Sequence, residues 1–305
     1  CVKPSDGTGD FDFSRATEAT RINSLGLVET IGINLPRINY EGGCGSWLWE
    51  PQSTNLYLNS ETLSTQTITT TANQYSVSFY GTGTITFSGT HTGSLIGTGL
   101  NDRVTATFTA TAGTLTSTIN GTVTKAQIEQ LSYTTSYIPT SGSTVTRNQD
   151  LCTNGASVAS INSTEGVLYF EGSTLVNGGA NRYISLSNNT SSNRLQVIFH
   201  NNSNRLSIGM ANPIGSVSSI NDFSFVQTNN NKVAVSYSAL GLKLFVNGIL
   251  RGSNTDNASF TPNTLTTLDF ALWNQTTAPF EGNTKCLAVW KEALTDAELI
   301  SLTTI

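Results

Sequence analysis

The sequence predicts an all-β fold, and three observations carry that reading. Charged residues make up only 11% of the chain. Thr, Ser, Asn and Gly fill their place; Thr is β-branched and suits strands, while Asn and Gly supply turns. Apolar residues recur at period two in short runs, almost nowhere at helical period. Gly- and Asn-bearing turns separate these runs at the spacing of β-sandwiches. At 305 residues the chain exceeds one ordinary domain, so two sandwiches behind a less regular opening are expected.

Residues 1–55 form the irregular opening. Arg21 to Glu29 reads as strand, tight turn and strand, because Asn23, Ser24 and Gly26 stand between apolar residues. Ile33 to Tyr40 alternates around Pro36, which suits an edge strand. Trp47-Leu48-Trp49 alternates faces, burying one side. Residues 56–150 hold the first sandwich, of jelly-roll type. Its runs include Tyr75-Ser-Val77-Ser-Phe79, Thr84 to Phe87, Val104 to Phe108 and Val123 to Ile128, split by turns such as Gly81-Thr82-Gly83.

The stretch from Gln127 to Asp150 reads as the connection to the second sandwich. Pro139 keeps Tyr137-Ile138 extended, and Thr140-Ser141-Gly142-Ser143 is an exposed turn. Tyr133, Tyr137 and Ile138 are read as anchors pinning this connection to a neighbouring surface. Residues 151–305 carry longer strands: Val167 to Phe170, Arg182 to Leu186, Arg194 to Phe199, Lys232 to Tyr237 and Lys285 to Trp290. Asn247-Gly248 between apolar runs is a strong hairpin signal. Thr295-Asp-Ala-Glu298 is a capping box, which predicts one short helix, Asp296 to Leu302.

Composition excludes several function classes. The net charge is -5 with no basic block, so nucleic acid is not an expected partner. The four Cys are widely spaced and share no C-x-x-C pair; they are expected as reduced, partly buried thiols, and neither metal nor cofactor is expected. No apolar run is long enough to span a membrane as a helix. Cys1 in place of Met leaves a processed chain, or a lipid-bearing Cys1, as an alternative.

Three blocks together resemble a known family. Phe13-Ser14-Arg15-Ala16-Thr17, Gly26-Leu27-Val28-Glu29, Pro36-Arg37-Ile38-Asn39-Tyr40 and Leu48-Trp49-Glu50-Pro51-Gln52-Ser53-Thr54-Asn55-Leu56 resemble the opening module of tailed-bacteriophage tail-fibre and head-fibre proteins. Gln127-Ile128-Glu129, Ser136 to Thr140 and Val145-Thr146-Arg147 resemble the end of the carbohydrate-binding-module-like jelly roll that follows it there. Asn247-Gly248, Leu287 to Trp290 and Ala293 to Leu299 resemble concanavalin A-like, laminin G-like domains. The resemblance implies an attachment or oligomerisation role for 1–55, a homotrimer, other virion proteins as partners, and location in the virion. It does not extend to the laminin G-like calcium site, for which no Asp/Asn cluster matches.

The expected activity is binding, not turnover. The second sandwich offers no strand trio of carboxylates, and Asp269 is its one mid-strand acid; a glycosidase would need two facing carboxylates. His91 and His200 are expected as lone surface residues. Trp273-Asn274-Gln275 at a strand end is the candidate for host-surface glycan, since an indole can stack on a sugar while amides bond its hydroxyls; a core Trp at a strand edge is the plainer reading. Trp47, Trp49, Tyr133 and Tyr137 are candidates for packing or subunit contact. Arg15, Arg21 and Arg37 are solvated by default, with interface pairing as the alternative. A purely structural virion adaptor without a ligand is the rival function.

Overall fold

The computed structural model describes residues 10–212 and 217–305, and they are all-β. Among the described residues α-helix is confined to Asp296–Thr303. The chain divides into two units that do not follow chain order. One takes the chain through Ser14, then Ser46–Glu50, then Asp150–Ile305; the other takes Arg15–Gly45 and Pro51–Gln149. The opening 55 residues are thus shared between the units instead of forming a separate segment.

The first unit is a sandwich of two antiparallel sheets. One sheet runs Ile249–Asn254, Gly241–Val246, Asn231–Ser238, Gly166–Thr174, Gly282–Trp290 and on to Ser46–Trp49. The other runs Val217–Asp222, Leu206–Ala211, Asn193–Phe199, Arg182–Thr190 and Thr267–Asp269. Period-two alternation decides the faces. Leu168 and Phe170 point into the core with Ile184, Val197, Phe199 and Ile208. Val167 and Tyr169 point to the opposite face, where Ala234, Phe245 and Leu299 of the helix cover them. Burying one such side chain contributes about 1.5–3 kcal/mol. Asn247 and Gly248 both have positive φ, 52° and 78°, the backbone a two-residue hairpin needs. The capping box forms, with Thr295 accepting from the Glu298 amide and Glu298 accepting from the Thr295 amide.

The second unit has its own core of Tyr57, Val77, Phe79, Ile85, Leu115 and Ile128. Its sheets run Gly93–Ile96, Thr84–Gly89, Gly113–Asn120, Gln66–Thr70 and Gly99–Thr109, Gln74–Gly81, Thr124–Glu129. The hairpin expected at Asn23 to Gly26 joins Ala19–Ile22 to Val28–Ile31.

Several expectations need correction here. Arg15 and Arg37 are each 1% exposed, not solvated. Arg15 donates to the Gly32 carbonyl at 2.8 Å and Arg37 to the Thr20 carbonyl at 2.9 Å, so each guanidinium satisfies backbone that side chains would otherwise leave unpaired. Arg21 pairs with Glu29 at 2.8 Å nearer the surface. The stretch holding Tyr137 and Ile138 is built into the second unit. Asn55 donates to the Ile138 carbonyl, Ile138 N–H donates to Gln127, and the Tyr137 hydroxyl meets Ser60. Tyr137 is 4% exposed, which leaves it no face for a second copy. Tyr133 is half-buried, and its carbonyl accepts from Ser76. Cys152 is buried, but Cys44 and Cys286 are exposed; none of the three is in a disulfide. Cys1 lies outside the described residues.

Candidate functional site

The Trp273 turn leaves the edge strand Thr267–Asp269 of the first unit. It is anchored from below by aromatic packing. Phe270 and Phe280, each 1% exposed, flank the turn and close it with a Phe280 N–H to Phe270 carbonyl bond of 2.8 Å. Phe270 packs in tilted contact against Trp49 at 4.8 Å and Phe11 at 5.5 Å. Between these anchors the chain must reverse in few residues. Gln275 and Ala278 take positive φ of 66° and 48°, a conformation costly to residues with a Cβ. Backbone bonds from Gln275 to Leu272 and from Leu272 to Thr277 fix the reversal.

The three predicted residues are on this turn, but they divide the work differently than expected. Trp273 is half-buried and sits outside the hydrophobic core, with no hydrogen bond or ring partner among the described residues. It is therefore not the core tryptophan of the plainer reading. Asn274 is spent on its own loop: its side chain donates to the Thr277 hydroxyl at 2.8 Å and accepts from the Thr277 amide at 3.1 Å. Gln275 reaches sideways, donating to Asn154 and, at 3.2 Å, to Asp269.

Asp12 and Asn154 complete the polar cluster. Asn154 donates its backbone N–H to Asp269 Oδ1 and its side-chain amide to Asp12, both at 2.8 Å. A second connection locks this loop to the edge strand, because Gly155 and Leu268 exchange backbone bonds of 2.9 and 2.6 Å. Asp269 is fully buried and its Oδ2 makes no hydrogen bond. Burial pushes its pKa above the usual carboxylate range, partly offset by the Asn154 amide. Cys152 lies in the same surroundings. Burial, then the charges of Asp269, Asp150 and Asp12, push its thiol upward, so it is a packed side chain and not a nucleophile.

The other tryptophan pair is structural. Trp49 is 3% exposed, donates its indole N–H to Thr284 at 3.1 Å, and meets Trp47 edge-on at 5.8 Å. That packing leaves Trp49 no surface for a second subunit; Trp47 is half-buried beside it. Four further acids of the first unit are engaged separately. Glu281 pairs with Arg182 and Asp296 with Lys243, Glu171 accepts from Tyr169, and Glu298 serves the helix cap. His91 lies flat on Phe108 at 4.2 Å in the second unit, while His200 belongs to the first. No group of three metal-binding side chains occurs among the described residues, and none of their helices is long and apolar enough to cross a membrane.

Residues 173–300 match the family model described as the concanavalin A-like lectin/glucanases superfamily. No curated protein matches the chain in sequence. Among solved structures, the chain is similar to the CBM40 of the Ruminococcus gnavus IT-sialidase bound to alpha2,3 sialyllactose, at 19% identity, covering 47% of this chain and 83% of that one, TM-score 0.40. It is also similar to the leech intramolecular trans-sialidase, at 21% identity over 47% of this chain and 24% of that one, TM-score 0.39. A third is the binding domain of botulinum neurotoxin serotype G, at 16% identity over 50% of this chain and 39% of that one, TM-score 0.39. The sandwich that carries the Trp273 turn thus contains the stretch, residues 173–300, that matches concanavalin A-like lectin/glucanase domains.

Proposed function

We propose that the protein is a non-enzymatic glycan-binding protein whose first unit holds sugar at the Trp273 turn. The observation that carries this reading is the indole itself. It is a half-buried aromatic, unused by the core, on a turn closed by Phe270 and Phe280 and two residues from Gln275, whose amide joins the polar cluster of Asn154 and Asp12. Such a ring covers the apolar face of a pyranose while neighbouring polar groups read its hydroxyls. Glu281 and Asp296 of this unit are each paired with a cation and Glu298 caps the helix, so these three acids are committed to the fold, which supports binding without turnover. The setting as a virion fibre or decoration subunit, trimeric and attached to other virion proteins, rests on the sequence resemblance of the opening and jelly-roll blocks. In that setting several weak sites on one oligomer would combine into avid attachment to a host surface.

The test is a glycan array probed with the full chain, followed by calorimetry on the hits. Trp273→Ala should weaken binding by about tenfold or more with an unchanged melting temperature. Saturable binding that survives this substitution, or no binding on a broad array, overturns the reading and favours a ligand-free structural role.

A further inference from the structure

We infer that the Trp273 site takes sugars presenting hydroxyl or ammonium donors, neutral or amino sugars, and excludes acidic ones. The inference rests on the glycan reading above and adds the ligand class. Ionised carboxylates only accept hydrogen bonds. Asp12 therefore obliges Asn154 to turn its Nδ2 outward to it, and Asp269 obliges Gln275 to present its Nε2. With Asn154 Oδ1 also receiving Gln275, both N–H bonds of the Gln275 amide are consumed inside the cluster. What faces a ligand is then mostly acceptors: the second oxygen of the exposed Asp12 and Oε1 of Gln275.

The charge points the same way. Beneath these acceptors lies Asp269, fully buried, with Oδ2 lacking any hydrogen bond. The partners of Asp12 and Asp269 among the described residues are uncharged, amides and the Thr267 hydroxyl, with no Lys or Arg hydrogen-bonded to either. A local negative field acts on Cys152 as well, whose thiol burial and the charges of Asp269, Asp150 and Asp12 push upward. A sugar carboxylate brought here would meet the exposed Asp12 carboxylate and too few donors. A hydroxyl or ammonium would satisfy acceptors that now face water or nothing.

The experiment uses the full chain on an array that carries neutral, amino and acidic glycans at equal density, at low salt, alongside Trp273→Ala and Asp12→Asn. Trp273-dependent hits should be neutral or amino, with acidic glycans of matched length bound at least about fivefold more weakly. Asp12 is exposed, so Asp12→Asn should fold normally and narrow that gap by about two- to fivefold, the range of an exposed charge interaction. Trp273-dependent hits that are mainly acidic overturn the inference while the glycan reading stands. An array without Trp273-dependent hits overturns both, and an unchanged preference in Asp12→Asn overturns the charge argument.

Discussion

A Cβ on Gly155 would lie 2.3 Å from the Phe11 ring, closer than atoms can approach. Phe11 in turn packs on Phe270, so a side chain there would push apart the aromatic base of the Trp273 turn. Gly155→Ala should therefore destabilise the first unit by about 1–3 kcal/mol, read by denaturant unfolding; an unchanged midpoint would contradict this packing. Asp269 offers a second residue-scale check. Its folded pKa is raised, so the folded state holds the proton more tightly than the unfolded chain. The cost of its charge is full above the folded pKa and fades as pH falls towards the unfolded carboxylate value. Asn at 269 does not titrate. Lowering pH from 7 to 4 should thus move the stability difference between wild type and Asp269→Asn in favour of wild type; parallel pH curves would refute it. Trp273 was legible as a candidate because a lone indole among Asn, Gln and Thr is visible locally. Asp12 and Asn154 were not. Their partners lie 142 and 115 residues away, and no local pattern encodes the Gly155–Leu268 register that brings them together.

Elements announced by their own chemistry were readable. The Asn247-Gly248 hairpin needs two positive φ angles that these residues accept, and the closing helix begins at the capping box that Thr295 and Glu298 spell out. This helix roofs Val167, Tyr169 and Phe245. Thr295→Ala should weaken it by about 1 kcal/mol, seen as faster amide exchange over Asp296–Thr303 without change in the strands. Glu298, held below the usual range by its bonds to Thr295, should add a pH dependence. Its contribution is present above the unfolded carboxylate pKa and is lost as pH falls through the folded one. The stretch around Tyr137 announced an anchored connection through a tyrosine and isoleucine beside Pro139, but not which surface would hold it. The bonds to Asn55, Ser60 and Gln127 place it in the second unit.

At the scale of the whole chain, the all-β character was readable from composition and turn spacing, but which segments share a unit was not. A short run such as Ser46–Trp49 carries the same alternation in any sheet, so nothing in it says that it belongs beside Gly282–Trp290. The fragment 151–305, although it contains the whole family match, lacks Trp49, Phe11 and Phe13 of its own core. It should fail to unfold cooperatively or show a greatly lowered melting temperature, while the full chain does not. A fragment as stable as the intact protein would refute the division of the chain. Trp49 and its partner Thr284 are 235 residues apart, and that distance has a consequence for synthesis. At about 5–20 residues per second on the ribosome, a tryptophan-bearing ribbon waits on the order of 10–50 s before the strand that shelters it emerges. Nascent chains stalled before Gly282 should therefore engage holdase chaperones at this ribbon and release them once translation proceeds.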